Sequence, residues 1–212
     1  VIEVSKAIGM DSRIGSKFLN ASVGFGGSCF QKDILNLVYI SKSLGLNEVA
    51  DYWHQVILMN IHQRDRFSNN ILKSLYNTVA GKKITLLGWA FKKDTNDTRE
   101  SASIYIANNL IEEKANISIY DPKVANNRIL DDLSEINANF DHKSIKISSD
   151  VYVSCEGAHA IAIITEWDEF ITLDWSRIYQ KMNKPAFIFD GRNILDKIKI
   201  EEIGFIYKGI GN

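Results

Sequence analysis

The chain has 212 residues, of which 45% are hydrophobic and 24% are charged, and its formal net charge is −1. This composition is typical of a globular protein with a sizeable core, and the balanced charge argues against the basic surface of a nucleic-acid-binding domain. No apolar run approaches the roughly 20 residues that span a bilayer, so the sequence predicts neither a membrane nor a nucleic-acid partner.

The two cysteines, Cys29 and Cys155, lie far apart, and the first residues lack the apolar stretch of a secretory signal. Two thiols in an ordinary chain fit a reducing compartment better than a disulfide framework, which predicts a cytoplasmic location. The chain has no initiator methionine and begins within a helical pattern, so we expect it to be a fragment.

Residues 1 to about 46 predict helices that are interrupted by glycines. At their centre lies the cluster Gly24-Phe25-Gly26-Gly27-Ser28-Cys29, which cannot continue a helix cheaply and lets the backbone approach a ligand closely. A new helix follows at Asp33, because apolar residues recur there near the helical period.

Residues 48 to about 78 contain no glycine or proline and carry an apolar stripe, which predicts one helix of roughly 45 Å. A helix of this length is typical of a connector between domains and of a dimer face. A long core helix of a single domain is the alternative.

From residue 82 onwards, short apolar segments alternate with helical stretches. The predicted strands are 84–88, 117–121, 145–147, 158–165 and 186–190. Such strands indicate a parallel sheet that is covered on both faces, as in doubly wound nucleotide-binding folds. The predicted fold is therefore α/β, with a helical central region at 1–78 and a Rossmann-like parallel-sheet domain at 79–212.

The first predicted strand ends in Gly88-Trp89-Ala90-Phe91-Lys92, which is not the G-x-G-x-x-G fingerprint of dinucleotide-binding folds. This turn is therefore not built for the pyrophosphate of NAD. Its lysine favours a different ligand that carries phosphates or hydroxyls.

Cys29 stands where the glycine-rich loop meets the start of a helix. A helix N-terminus and a neighbouring cation, here Lys32, stabilise a thiolate. Asp33, four residues on, shares a helical face with the cysteine and suits the positioning of a water molecule. The alternative is an inert buried cysteine, because cysteine is among the most buried residue types.

Three motifs resemble the UDP-glucose dehydrogenases. The segment FGGSCFQKD is similar to their active-site segment, and the residues around it, 8–40, resemble the eukaryotic form almost end to end. LLGWAFKKDTNDTRES is similar to the family's linker into the nucleotide-sugar domain. FIFDGRN is similar to its late strand and substrate-contacting arginine. The motifs occur in the family's order and cover nearly the whole chain.

This resemblance implies an NAD-dependent, two-step oxidation of UDP-glucose to UDP-glucuronate. Cys29 would capture the aldehyde intermediate as a thiohemiacetal, which is then oxidised to a thioester and hydrolysed. Asp33 would orient the catalytic water, and Lys92 would lie near the reacting end of the sugar.

The resemblance also implies which residues contact the ligands. The expected substrate contacts are Arg13, Phe18, Asn20, Ala21, Ser22, Val23, Gly24, Phe25, Gly26, Phe91, Lys92 and Arg192. The expected NAD contacts are Cys29, Phe30, Gln31, Lys32 and Arg99. Arg13 would reach the substrate site of a neighbouring subunit, so a homodimer that builds a larger homo-oligomer is expected.

Simpler interpretations exist for several of these residues. Lys92 and Lys93 fit a solvated turn, and Arg99 fits an ordinary surface position. Arg192 follows the carboxyl end of a parallel strand, where such folds bind ligands, so a functional role is favoured from the sequence alone. Cys155 has no obvious base beside it and is expected to be structural. The four histidines have no metal-ligand spacing, so no metal site is expected.

The family's NAD-fingerprint domain and three of its active-site residues lie outside this sequence, so we expect no turnover by the chain alone. Asn20 stands where animal members usually have lysine, which predicts a weaker or backbone-mediated contact. The alternatives are a sister dehydrogenase acting on GDP-mannose or an N-acetylated UDP-hexose, and a non-catalytic nucleotide-binding or dimerisation module.

Overall fold

The structure is a computed structural model that describes residues 2–16 and 19–211. Phe18, an expected substrate contact, lies outside the described residues. The described helices before the sheet are α1 (Ile2–Gly9), α2 (Phe30–Ser43) and α3 (Asn47–Ser74). At 28 residues, α3 is about 42 Å long.

The long helix α3 ends four residues before the predicted end at 78. The next residues explain this end, because Tyr76 and Asn77 adopt φ angles of 66° and 59°, in the left-handed region that stops a right-handed helix. One half of α3 packs on α2 through Ala50 and Ile57. Its other half places Phe67 and Ile71 in the core of the sheet.

The second part of the chain forms a six-stranded sheet in the order β3-β2-β1-β4-β5-β6. All neighbouring strands are parallel, so the predicted fold class is confirmed. This order is that of doubly wound dinucleotide folds. The strands are β1 (Lys83–Leu87), β2 (Asn116–Tyr120), β3 (Ile145–Ile147), β4 (Ala160–Ile163), β5 (Phe187–Asp190) and β6 (Ile206–Gly209).

Helices cover the sheet and connect its strands: α4 (Ala102–Glu112), α5 (Asn126–Ile136), α6 (Val151–Cys155), α7 (Asp168–Ile171), α8 (Trp175–Lys181) and α9 (Lys197–Ile203), with a short 3₁₀ helix at His142–Ser144. Strands β4 and β5 are buried along their whole length. This burial matches their continuous apolar sequences, because parallel strands are covered on both faces.

The sixth strand was not predicted. Ile206 and Lys208 are exposed while Tyr207 between them is buried, so β6 alternates as an edge strand does and lacks a continuous apolar run. Within the described part of the chain, no helix combines the length and the apolar character needed to cross a membrane.

Candidate active site

The turn that follows β1 is held by the carboxylate of Asp121. Its Oδ2 atom accepts hydrogen bonds from the backbone N–H groups of Trp89 and Ala90, at 2.6 and 3.0 Å, and from the indole of Trp167 at 3.1 Å. Its Oδ1 atom accepts two further bonds, from the backbone of Lys123 and Val124. The carboxylate therefore fixes the turn that carries Phe91 and Lys92.

Asp121 directly follows β2. In dinucleotide-binding folds, an acidic residue in this region binds a ribose hydroxyl. Here the carboxylate is used by the protein's own turn. This use agrees with the missing glycine fingerprint and with the expectation that the first turn does not hold NAD.

The loop of residues 20–28, which we call the cysteine loop, lies against the carboxyl ends of β4 and β5. Val23 is only 1% exposed. A Cβ atom on Gly191, just after β5, would lie 2.4 Å from Val23 Cγ1 and 2.7 Å from the carbonyl oxygen of Ile163. Only glycine allows the loop to approach the strand end this closely.

Arg192 links this strand end to the cysteine loop through polar contacts. Its Nη1 donates a hydrogen bond of 2.7 Å to Ser22 Oγ, and its Nη2 lies 2.7 Å from Glu166 Oε2. The side chain is 14% exposed. Burial lowers the pKa of the Arg192 guanidinium, and the charges of Glu166 and Asp190 act in the opposite direction. A cation is thus held at the edge of the loop.

Helix α3 holds the middle of the cysteine loop. The buried side chain of Asn60 accepts from the backbone N–H of Phe25 at 2.8 Å and donates to its carbonyl at 3.0 Å. A Cβ atom on Gly24, whose φ is +139°, would lie 2.7 Å from Asn60 Oδ1. The amide and the glycine together fix the backbone of the loop.

The last part of the loop packs on the segment after β1. Gly27 N–H donates a 2.8 Å hydrogen bond to the carbonyl of Arg99. A Cβ atom on Gly26 would lie 2.5 Å from the carbonyl oxygen of Glu100, and one on Gly27 would lie 2.9 Å from Phe91 Cε2. Phe91 therefore contacts the loop, and the ammonium of Lys92 lies 5.5 Å from the centroid of its ring.

The Cys29 thiol is exposed at the position that precedes the first residue of α2. Its Sγ atom lies 3.5 Å from Ser28 Oγ, and its carbonyl accepts from the backbone N–H of Asp33 at 2.9 Å. The expectation of a buried cysteine is thereby wrong for Cys29, and its reactivity stays a prediction. By contrast, burial raises the pKa of the Cys155 thiol to about 12, as befits a structural cysteine.

Arg99 belongs to the segment that packs on the cysteine loop, since its carbonyl accepts the hydrogen bond from Gly27. The hydrogen-bonded carboxylate of Asp97 raises the pKa of the Arg99 guanidinium, and the negative charge of a Cys29 thiolate acts in the same direction. Asp97 accepts from Nε at 3.0 Å and from Nη2 at 2.7 Å. The carboxylate therefore orients the guanidinium beside the cysteine loop.

Two surface depressions share the cysteine loop. The loop groove has a volume of about 680 Å³ and is lined by the loop and by α3, including Asn20, Ser22, Gly24, Phe25 and Asn60. The cysteine cleft has a volume of about 510 Å³ and is lined, among others, by Gly27, Ser28, Gln31, Lys32 and Arg99. The first part of the cysteine loop, up to Phe25, thus faces the loop groove. Gly27 and Ser28, with Gln31 and Lys32 after the thiol, face the cysteine cleft.

Arg13 and Asp33, two residues with expected functional roles, have exposed side chains and contact only other surface residues in the salt bridges described here. The side chain of Arg13 is 87% exposed and pairs with Asp11 at 2.7 Å. Asp33 is also exposed, and its carboxylate lies 3.7 Å from the ammonium of Lys32. Among residues 2–16 and 19–211, no group of three or more His, Cys, Asp or Glu side chains could hold a metal ion.

Five residues that support the site are not predicted from the sequence. Asn60 holds the cysteine loop, Asp121 holds the turn after β1 and Glu166 pairs with Arg192. The Tyr105 ring stacks on Arg64, whose Cγ atom would lie 3.2 Å from a Cβ atom on Gly24. A signal existed for Asn60 and Arg64, which are polar residues four apart within the apolar part of α3. Asp121 and Glu166 follow predicted strands, where ligand-binding and turn-holding side chains both concentrate. Tyr105 gave no signal that separates it from the packing residues of α4.

The sequence matches two models of one protein family. The sequence model of the UDP-glucose/GDP-mannose dehydrogenase family, UDP binding domain, matches residues 85–197, and that of the central domain matches residues 1–62. The chain belongs to the UDP-glucose/GDP-mannose dehydrogenase family. In this chain, the part matched by the central-domain model contains the cysteine loop, and the part matched by the UDP-binding-domain model contains Asp121 and Arg192.

Similar proteins from other organisms agree with this family assignment. The chain is 56% identical to UDP-glucose 6-dehydrogenase of Drosophila melanogaster over 215 residues, and 55% identical to UDP-glucose 6-dehydrogenase 5 of Oryza sativa subsp. japonica over 223 residues. All of the chain is covered in both comparisons, but only 45% and 46% of the relatives. The chain thus spans about half the length of these curated relatives.

A solved structure of a UDP-glucose dehydrogenase from Pyrobaculum islandicum superposes with a TM-score of 0.74 at 27% identity. The comparison covers 99% of this chain and 43% of the archaeal one. An NDP-N-acetyl-D-galactosaminuronic acid dehydrogenase from Methanosarcina mazei shares the fold, with a TM-score of 0.77 at 24% identity.

Proposed function

We propose that the protein to which this chain belongs oxidises UDP-glucose to UDP-glucuronate in two NAD-dependent steps. The observation that carries the proposal is the exposed Cys29 thiol at the start of α2, directly after the cysteine loop, which contacts Arg192 and Phe91 of the UDP binding domain. A second oxidation at one carbon needs a group that retains the aldehyde, and an exposed thiol supplies it.

The substrate contacts follow from the loop and the strand ends. The cysteine loop offers backbone groups along the loop groove, and Arg192 offers a cation to a diphosphate, for which a guanidinium is well suited. Ser22 and Glu166 already bind Arg192, so both hold its planar group in one orientation. Asn20, Ala21 and Phe91 complete the proposed substrate surface.

The proposed chemistry of Cys29 uses its thiolate. The sulfur attacks the aldehyde carbon of the oxidised sugar, a C–S bond forms, and the oxygen takes up a proton to give a thiohemiacetal. Oxidation of that carbon leaves a thioester, which a water molecule hydrolyses, releasing the carboxylate and the thiolate. We assign Asp33 to the orientation of this water and Lys92 to the charge that develops on the sugar oxygen.

The cysteine cleft fits a part of NAD. Its lining includes Arg99 and Lys32, whose positive charges suit phosphates, and Gly27 and Ser28 beside the thiol. When bound, the cofactor would supply the hydride acceptor for each oxidation. Arg99 would hold a phosphate while Asp97 keeps the guanidinium oriented. No G-x-G-x-x-G fingerprint occurs among the 212 residues, so we propose that the remainder of the cofactor is bound by residues outside them.

Association with a second copy is part of the proposal. Apolar side chains such as Leu58 and Met59 are exposed on α3, and Tyr52 lies on the same helix. Burial of such a surface favours a homodimer. In this dimer we assign to Arg13, whose exposed side chain pairs with Asp11 in its own chain, the contact with the partner's substrate. The free Cys29 and Cys155 thiols fit a reducing compartment such as the cytoplasm.

The test is product analysis. The chain joined to an NAD-binding half should convert UDP-glucose to UDP-glucuronate with two NADH for each product, whereas the 212 residues alone should form no NADH. Binding titrations with UDP-glucose, GDP-mannose and N-acetylated UDP-hexoses should favour UDP-glucose. Preferential turnover of another nucleotide sugar, or an absence of turnover by the joined protein, would contradict the proposal.

A further inference from the structure

Glu100 has a strained backbone next to the cysteine loop. Its φ angle is 54°, which lies in the left-handed region that non-glycine residues rarely adopt. Its carbonyl oxygen would lie 2.5 Å from a Cβ atom on Gly26, so the backbone of Glu100 touches the loop. The preceding carbonyl, of Arg99, accepts the hydrogen bond from Gly27. A strained conformation persists only where surrounding contacts stabilise it.

The side chain of Glu100 is held by Tyr105. The phenol donates a 2.7 Å hydrogen bond to Glu100 Oε2, and both residues line the cysteine cleft. Burial raises the pKa of the Tyr105 hydroxyl, and the bond to Glu100 acts in the same direction. The phenol therefore stays protonated and continues to donate this bond at neutral pH.

Tyr105 is itself held by a buried cation of α3. The guanidinium carbon of Arg64 lies 3.7 Å from the centroid of the Tyr105 ring, and Arg64 is 5% exposed. Its Nη1 atom is buried and has no hydrogen-bond partner among the residues that the structure describes. The Arg64 side chain also contacts the loop, because its Cγ atom would lie 3.2 Å from a Cβ atom on Gly24.

We infer that Tyr105 is a positioning residue for the Cys29 thiol. It holds Glu100, whose backbone and that of Arg99 support Gly26 and Gly27, and Arg64 keeps its ring in place. The inference rests on the proposed function only for its catalytic consequence. The packing of Gly26 and Gly27 on the backbone of Arg99 and Glu100, just before Cys29, is a property of the chain itself, so it can be tested without NAD or turnover.

The test measures the rate at which iodoacetamide alkylates Cys29 in the 212-residue chain, read by mass spectrometry at neutral pH. Tyr105→Phe keeps the ring on Arg64 and removes only the hydrogen bond. We expect the rate to fall roughly 3- to 10-fold, which corresponds to one hydrogen bond of the loop support. Hydrogen exchange of the 26–33 backbone should accelerate, with no change in the strands.

Two further variants separate positioning from general damage. Tyr152 also stacks with an arginine, Arg177 at 4.2 Å, and its hydroxyl accepts a hydrogen bond from Asp174 N–H, so Tyr152→Phe is a matched control with an unchanged rate. Glu100→Gln retains an acceptor for the phenol and should stay within about twofold of the wild-type chain.

Three results would overturn the inference. The first is an unchanged or faster alkylation of Cys29 in Tyr105→Phe. The second is an equal fall of the alkylation rate in Tyr152→Phe. The third is hydrogen exchange in Tyr105→Phe that accelerates throughout the sheet. If Tyr105→Phe slows alkylation but the wild-type chain joined to an NAD-binding half fails to oxidise UDP-glucose, the proposed function is contradicted and the positioning role stands.

Discussion

The hydrogen bond of 2.7 Å between Arg192 Nη1 and Ser22 Oγ joins two residues that are 170 positions apart. It connects the end of β5 to the cysteine loop, and Glu166 holds the other side of the same guanidinium. The proposed catalytic loop and the proposed diphosphate site are therefore parts of one polar network.

Loss of the Ser22 hydroxyl should weaken both stability and binding. Ser22→Ala leaves one guanidinium nitrogen without its acceptor, and we expect the free energy of unfolding to fall by about 1–2 kcal/mol. The affinity for UDP-glucose should fall because Arg192 loses its orientation. Denaturant unfolding and calorimetric titration measure the two effects. Ser43→Ala, on the exposed side of α2, removes a hydrogen bond to Ile40 and should change stability by less than about 0.5 kcal/mol.

Substitution of Asp121 should release the turn that carries Phe91 and Lys92. Asp121→Asn keeps one acceptor oxygen but places an amide nitrogen where two or three N–H groups now donate. We expect a loss of about 2–4 kcal/mol in the free energy of unfolding, because buried donors become unpaired.

The control for Asp121 is Asp141→Asn, at the exposed start of the 3₁₀ helix, where Asp141 accepts from the backbone of Lys143. It should cost less than about 1 kcal/mol. Equal effects of the two substitutions in urea unfolding would contradict the role assigned to Asp121.

The close approach of Gly27 to Phe91 should not tolerate a methyl group. Gly27→Ala adds backbone strain at φ +88° and a contact of 2.9 Å with the ring of Phe91. Gly45→Ala adds similar strain at φ +75° with no atom within 4 Å. Gly45→Ala should destabilise the chain by about 1 kcal/mol, and Gly27→Ala by clearly more. A thermal melt of both variants tests the difference.

The Cys155 thiol predicts a loss of stability at alkaline pH. Its pKa is raised by burial from 9.0 to about 12, so the folded chain keeps a proton that the unfolded chain releases. The resulting stabilisation is complete below about pH 9 and is lost as the pH rises from 9 towards 12. Cys155→Ala should reduce the alkaline decline in urea-unfolding free energy. An identical decline in both proteins would contradict this assignment.

The sequence predicts the elements that depend on local pattern. Strands β1, β4 and β5 are mostly apolar, and the shorter apolar patterns of β2 and β3 recur between helical segments, so the sheet is predictable. Cys29 and Arg192 stand at recognisable junctions, one before a helix and one after a strand, which is why the sequence singles them out. The edge strand β6 alternates exposed and buried residues, and its sequence has no apolar run that would predict a strand. The end of α3 depends on two residues of positive φ, which the sequence of a good helix does not reveal.

The contacts that assemble the site are not predictable in this way. Ser22 hydrogen-bonds to Arg192, and Asn60 to Phe25, only after the sheet and the helices have packed together. Asp121 has the sequence context of a ribose-binding acid, yet its carboxylate is occupied by five N–H donors of the protein itself. Only three-dimensional packing decides between these uses.

The most direct measurement compares iodoacetamide labelling of Cys29 and Cys155 in the 212-residue chain, with and without UDP-glucose. The exposed thiol should react rapidly and the buried thiol only after unfolding. Saturating UDP-glucose should protect Cys29, whereas GDP-mannose should not. A Cys29 that resists labelling, or whose labelling no nucleotide sugar slows, would contradict the placement of a reactive thiol at the substrate site.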